Sequence, residues 1–326
     1  MRVAIESLNQ KSHLQAVSSA LQFIKWESII ASQTRIYIKL NLTYPRHEPG
    51  VTVSPVVVEA LIQLLTTRTA NVTLVESDGG GLAWKAEEAF NGHGLYEIAK
   101  RYDIRLMNLS EQSSEVAETT LAGRDVKVVL PSILLHDCDV FITVPVPKVH
   151  LMTRVSLAFK NQWGCLPDPK RIRNHPEFKY KILAINKLLR TRIAVFDGTY
   201  FLNRVGPVGG DAIRKDLIIA ADDIGAGSLI CCKIMGIDPN CVDHLKLARK
   251  EGMFPDSISE VELNRPVEQF IAERFYVHRT FLNRLALAAF KSRFGTRLVY
   301  DSVFAHPIHE LLYLFRGRPE VRGYYQ

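Results

Sequence analysis

VFITVPVPKVHLMTRVSLAFKNQWGCLP, residues Val140–Pro167, opens on a run of apolar and β-branched residues that reads as a buried strand, Val140–Val144. Pro145 and Pro147 halt strand pairing, which leaves Lys148 and His150 in the loop beyond it. A helix is then expected over Met152–Trp163. On it Thr153, Ser156 and Lys160 fall at i, i+3 and i+7 as a polar stripe, with Leu151, Val155, Ala158, Phe159 and Trp163 opposite. A buried strand followed by a helix is the repeating unit of a parallel sheet, because a crossover helix returns the next strand beside the last.

Working outward, the same alternation continues. Strands are expected at Arg2–Ile5, Arg35–Leu42, Val72–Glu76, Ile104–Asn108, Val126–Leu130, Ile193–Phe196 and Leu217–Ala220. Helices are expected at His13–Trp26, Val56–Leu65, Ala83–Phe90, Tyr180–Leu189, Ile224–Met235 and Val242–Arg249, the second entered through Ser54-Pro55. The expected fold is therefore α/β, a three-layer arrangement around a mostly parallel sheet. Beyond Gly252 strand signals thin out and Val267–Phe294 reads as mostly helical. Residues 1–252 are read as the α/β domain and 253–326 as a basic, mostly helical C-terminal extension.

The 326 residues are 47% hydrophobic and 23% charged, which is ordinary globular composition. Net charge is +7, and from Arg274 onward nine Lys or Arg face three acids, so the tail holds six of those charges. A small anionic ligand is the expected partner of the body. An anionic membrane surface or an acidic protein is the candidate partner of residues 274–326, where Val277, Phe281, Leu282, Leu285, Ala288 and Ala289 would form an apolar stripe. A near-neutral body without a known module argues against nucleic acid. Neither a signal peptide nor an apolar run of roughly 18 residues is present, so a cytoplasmic protein, peripheral at a membrane if the tail docks, is expected. Cys138, Cys165, Cys231, Cys232 and Cys241 lack C-x-x-C spacing, so no iron–sulfur cluster is expected. His306-x-x-His309 has no companion ligand nearby, and no metal site is assigned; the cofactor is unknown.

Parallel sheets place ligands at strand carboxyl ends, so the candidate site is assembled from the residues just past each strand. Lys148, His150, Thr153, Ser156 and Lys160 would converge there, two ammonium groups holding a carboxylate or phosphate and His150 exchanging a proton. The plainer alternative is two solvated lysines and a loop-capping histidine. Gly79, Gly80 and Gly81 come after Val72–Glu76, where backbone N–H groups could approach an anion, with Asp78 beside them; a plain turn would look the same. Lys39 and Asn41 share one strand face by period two. Asp197 ends another strand, near the turn containing Gly209, and equally suits a loop cap. Asp222 is the simplest N-cap for the helix after it.

The run K-V-H-x-x-T-x-V-S-L-A-x-K-N-x-x-G, from Lys148 to Gly164, resembles the central signature of the domain-of-unknown-function 362 family. The resemblance extends to I-K-L-N-L (Ile38–Leu42), E-S-D-G-G-G (Glu76–Gly81), V-F-D-G (Val195–Gly198), G-P-V-G-G (Gly206–Gly210) and Ala220–Pro239, in the family's order. Leu40 stands where that family commonly has proline. The resemblance implies that Lys39, Asn41 and Asn161 reach the ligand, and that His175 closes over it from the basic loop Arg171–Pro176. Many members carry ferredoxin-type cysteines, which this chain lacks. A more distant similarity, the strand followed by K-x-H, is to the lactate racemase family, without its histidine spacing. The expected function is an enzyme acting on a small carboxylate- or phosphate-bearing substrate, by proton abstraction, racemisation or reduction. In it His150, Lys148 and Lys160 would be catalytic. The alternative is a non-catalytic anion-binding protein.

Overall fold

The computed structural model describes residues 1–310 except 272, 281, 282, 285, 286, 289, 290, 301, 305 and 309. In chain order the first half contains β1 (Arg2–Ser7), α1 (His13–Phe23), β2 (Ile36–Lys39), α2 (Pro55–Leu65), β3 (Val72–Glu76), α3 (Ala86–Gly92), α4 (Leu95–Tyr102) and β4 (Arg105–Asn108). An antiparallel hairpin of β5 (Ser114–Leu121) and β6 (Arg124–Pro131) leads through α5 (Ser132–His136) to β7 (Val140–Thr143). Then come β8 (Lys148–His150), β9 (Arg154–Ser156), α6 (Ala158–Asn161), α7 (Phe178–Leu189), β10 (Ile193–Asn203), β11 (Asp211–Ala221), α8 (Ile224–Ile234), α9 (Asp243–Lys250) and β12 (Glu262–Leu263).

The main sheet runs β12-β1-β11-β10-β7-β2-β3-β4. From β10 to β4 every neighbouring pair is parallel, whereas β11 is antiparallel to both β1 and β10. The period-two alternation of strand side chains divides the interior into two cores. Ile36, Ile38 and Ile142 enter one core with α1, α2 and α4; Tyr37, Phe141 and Phe196 enter the other with α7, α8 and α9. That is an α/β fold of three layers around a mostly parallel sheet.

Two expected elements are corrected. Met152–Trp163 is not one helix: β8 and β9 form a hairpin, and α-helix is limited to Ala158–Asn161, with a 3-10 turn over Gln162–Cys165. Arg154 adopts a left-handed conformation (φ 64°), which turns the chain so that Val149 pairs with Val155 and Lys148 with Ser156. The polar stripe therefore does not exist as a helix face. The mostly helical course expected over Val267–Phe294 is likewise absent over 274–280. There Phe275 donates its N–H to Met235 O (2.9 Å), Val277 bridges to Arg204, and His278 donates to Arg204 O (2.7 Å). The β-branched and aromatic run Phe275-Tyr276-Val277 takes an extended course along the body. Several residues of the expected apolar stripe, Phe281, Leu282, Leu285 and Ala289, lie outside the described residues, as does His309 of the histidine pair.

Residues beyond Gly252 contribute to the body as well. Glu262–Leu263 pair in parallel with β1, Val267 and Phe275 are buried, and Phe275 packs on Phe201 with ring centroids 5.8 Å apart. No helix among the described residues is long and apolar enough to cross a membrane.

Candidate functional site

The carboxyl ends of β2, β3 and β7 lie side by side and bring Lys39, Glu76 and Thr143 to one edge of the sheet. Burying an ammonium there is tolerable only with partners, and Lys39 has them. Its Nζ is 2.7 Å from the Glu76 carboxylate and donates to Leu40 O at 2.6 Å. Glu76 in turn accepts from the backbone N–H groups of Leu42 (3.2 Å) and Ser77 (3.1 Å). Gly164 lies against this pair. A Cβ there would come within 2.7 Å of Lys39 Cε and 2.9 Å of Glu76 Oε1, so only glycine permits the approach.

Beside the pair lies an amide and hydroxyl network. Asn41 Nδ2 donates to Asn161 Oδ1 (2.9 Å), and Asn161 Nδ2 donates to Thr143 Oγ1 (2.9 Å) and Lys39 O (3.2 Å). Lys148, fully buried, donates to Asn41 Oδ1 (2.9 Å), Thr43 Oγ1 (3.3 Å) and Val51 O. Burial, and then the charges of Lys160 and Lys39, push its pKa well below the usual lysine range. Together these residues make a saturated floor.

Above the floor opens a cavity of about 1010 Å³, and a smaller lobe of about 260 Å³ adjoins it. Lys160, on α6, lines both. Its ammonium sits 5.4 Å from the centroid of the Phe178 ring and has no hydrogen bond or ion pair among the described residues. Burial, reinforced by the charges of Arg171 and Lys39 against the opposing Glu76, lowers its pKa to about 7. Arg171 also lines the large cavity, and its Nη1 is buried without a hydrogen-bond partner among the described residues.

Three histidines surround this lysine electrostatically. His150, in the smaller lobe, accepts at Nδ1 from the N–H groups of Met152 (3.1 Å) and Thr153 (3.4 Å). Burial and then Lys160 hold its pKa well below the usual histidine value. His175 packs between Trp163 (5.9 Å, stacked) and Phe178 (4.6 Å), and burial followed by Lys160 and Arg171 brings it to about 3. His244, buried on α9, falls to about 3 by burial and Lys160, and its Nε2 has no hydrogen-bond partner among the described residues. All three are neutral at physiological pH.

Of the residues singled out in the sequence, Lys39, Asn41, Gly79, Gly80, Gly81, Ser156, Lys160, Asn161, His175 and Gly209 line the large cavity. His150 lines the adjoining lobe, and Lys148 lies beneath the floor, bonded to Asn41. Three others have structural employment. Asp78 accepts from Ala86 N (3.0 Å) and Asn108 Nδ2 (2.9 Å) at the start of α3; Asp197 accepts from Ser54 N (2.7 Å) at the start of α2. Thr153 Oγ1 donates to Val155 O (2.9 Å) within the β8–β9 turn.

The glycine loop is not a nest of free amides. Gly79 N donates to Trp84 O and Gly81 N to Pro169 O, both at 2.8 Å. What glycine provides at position 79 is room for Trp84, whose ring would lie 2.5 Å from a Cβ there. The helix cap is corrected too: Asp223, not Asp222, accepts from Ala226 N (2.7 Å), while Asp222 pairs with Arg2 (2.9 Å). Sequence reasoning missed the role of Glu76 as the partner of Lys39, the placement of His244, and the aromatic walls Tyr44, Trp84 and Trp163. Among the described residues no group of three or more His, Cys, Asp or Glu is arranged to hold a metal ion.

Comparison with known proteins places the chain in a family. Residues 36–233 match the family described as Domain of unknown function (DUF362). The chain is 25% identical over 126 residues to the "Thylakoid-associated protein sll1697" of Synechocystis sp., a match covering 36% of this chain and 39% of that protein. It thus spans about two-fifths of that relative's length. Among solved structures it is similar to the lactate racemase apoprotein from Thermoanaerobacterium thermosaccharolyticum, at 12% identity over 72% of this chain and 57% of that one, with a TM-score of 0.47. A Thermotoga maritima protein is similar at 13% identity over 75% of this chain and 60% of that one, with a TM-score of 0.42.

Proposed function

We propose that this chain, which belongs to the domain-of-unknown-function family DUF362, is an enzyme that removes a proton from a carbon of a small organic carboxylate. The observation that carries the reading is Lys160, an amine brought to about pKa 7, unpaired among the described residues, on the wall of a large cavity. An amine in that state is substantially unprotonated at neutral pH and serves as a general base. Arg171 lines the same cavity with Nη1 lacking a hydrogen-bond partner among the described residues, which suits a carboxylate. The proton would pass from carbon to Lys160 Nζ, and the electron pair to the adjoining carboxylate or carbonyl oxygen.

His150 takes a different part from the acid/base expected of it. Because Nδ1 accepts two backbone N–H groups, the neutral ring carries its proton on Nε2. It therefore offers a donor to a developing oxyanion rather than a lone pair to a proton. Return of the proton to the opposite face of the carbon would make the reaction a racemisation.

The test is deuterium uptake. A panel of 2-hydroxy and 2-oxo acids is incubated with the protein in D₂O, and loss of the C–H signal is followed by NMR. Exchange above the buffer blank is expected for at least one acid, falling by about 10²-fold or more in Lys160→Met. Acids that bind but never exchange would leave a non-catalytic anion-binding protein.

A second reading concerns the tail. Phe294, Val303 and Phe304 are 76%, 88% and 61% exposed, close in sequence to Arg293 and Arg297. We propose that this apolar and basic surface attaches to an anionic membrane. The full chain should sediment with phosphatidylserine vesicles at low salt and lose most of that binding in Phe294→Asp/Phe304→Asp. Equal sedimentation of the two proteins would end this reading.

A further inference from the structure

The size and walls of the cavity bear on what kind of carboxylate it holds. An enclosed space of about 150 Å³ suffices for a benzene molecule, and sites of roughly 300–1,000 Å³ hold drug-sized ligands. The large cavity, about 1010 Å³, stands at the upper end of that range. A three-carbon acid would leave most of it to water and gain little from its walls.

Those walls are aromatic and apolar around a cationic base. Tyr44 and Trp84 lie with ring centroids 6.3 Å apart and planes tilted by 60°, and Trp163 contributes a third ring, stacked with His175. Val51, Ile172 and Val208 add apolar surface to the same lining. The cations Lys160 and Arg171 lie on the same lining. Flat rings prefer offset stacked or edge-on neighbours at about 4.5–7 Å, and three rings on one cavity lining are partners of that kind for a ligand's ring. Lys160 borders both lobes, so a substrate reacting beside it would have its larger substituent in the aromatic lobe.

We propose that the substrate is an aryl-bearing carboxylate, its ring held among Tyr44, Trp84 and Trp163 and its carboxylate directed to Arg171. The proposal rests on the function inferred above and specifies its substrate class. Trp84 is a poor site for a test because its ring packs directly on Gly79. Tyr44 and the half-exposed Val208 are better ones.

The experiment is titration calorimetry of the full chain with 3-phenyllactate and with lactate, which differ by the ring alone. Phenyllactate is expected to bind roughly 10- to 100-fold more tightly, the affinity equivalent of burying one Phe-sized group. That ratio should shrink in Tyr44→Ala, which removes a wall. It should shrink again in Val208→Trp, which fills the space from the rim without touching the core. Equal affinity for the two acids, or a ratio unchanged in both variants, overturns the aryl proposal while leaving the proposed function standing. Proton exchange on lactate without binding of phenyllactate does the same. Binding of neither acid, with no exchange on any acid of the panel, overturns both.

Discussion

Lys39, buried, and Lys160, half-buried, belong to one site at the same end of the sheet, yet they occupy opposite chemical situations. Lys39 meets a carboxylate at 2.7 Å and a carbonyl at 2.6 Å, and its partner Glu76 is itself held by two backbone N–H groups. Lys160 meets the face of Phe178, two other cations and an open cavity. The first arrangement locks a charge in place; the second makes a charge costly and leaves a lone pair available near neutral pH. A place in the site alone therefore does not distinguish scaffold from reactive group. The presence of a partner does, and that gives each lysine a different response to mutation.

The largest effect is expected where the satisfied pair is broken. Glu76→Ala strands the Lys39 ammonium and leaves the Leu42 and Ser77 N–H groups without their acceptor. Removing one partner of a buried pair typically costs about 3–5 kcal/mol. Urea unfolding should show a loss of that order; a loss below about 1 kcal/mol would mean that the pair is not what anchors the floor. A smaller effect, about 1–3 kcal/mol, is expected for Gly164→Ala, which presses a methyl group against both members of the pair without removing either. If Gly164→Ala unfolds like the parent protein, the floor is looser than these distances imply.

The sheet was legible because its strands announce themselves locally. Ile36–Lys39, Val72–Glu76 and Val140–Thr143 are short β-branched runs; the strand-then-loop rule put Lys148, His150 and Lys160 at one end of the fold, and the family resemblance added Lys39. The β8–β9 hairpin was not legible. Thr153, Ser156 and Lys160 match helical spacing by coincidence, and nothing in the residue type Arg154 signals a left-handed turn. The contrast between the two lysines was hidden for a different reason. It depends on Glu76 reaching Lys39 rather than Lys160, a long-range packing outcome with no local pattern. His244 shows the same limit, since it comes under the influence of Lys160 from a helix far along the chain.

The smallest loss of stability, and the one that best separates the two situations, is expected for Lys160→Met. Methionine keeps the unbranched shape and removes a charge that has no partner among the described residues, so the variant should be no less stable than the parent near neutral pH. The pH dependence carries the distinction. Lys160 titrates at about 7 when folded and near its usual 10.5 when unfolded. Between those values the unfolded chain binds a proton that the folded chain does not, so stability rises with pH across this window. Below about pH 7 both states hold the proton and the penalty of burying the charge is present in full. The parent protein should therefore gain stability relative to Lys160→Met from pH 7 to 10, and should be no more stable than the variant at pH 6. Lys148 shifts in the same direction, in part through the charge of Lys160, so the difference between the two proteins reads Lys160 together with its effect on Lys148. The rate of deuterium exchange in the parent should follow the same group, rising about tenfold per pH unit below pH 7 and levelling above it. A variant clearly less stable than its parent at pH 6 would show that Lys160 is a satisfied structural cation after all, and the contrast with Lys39 would collapse.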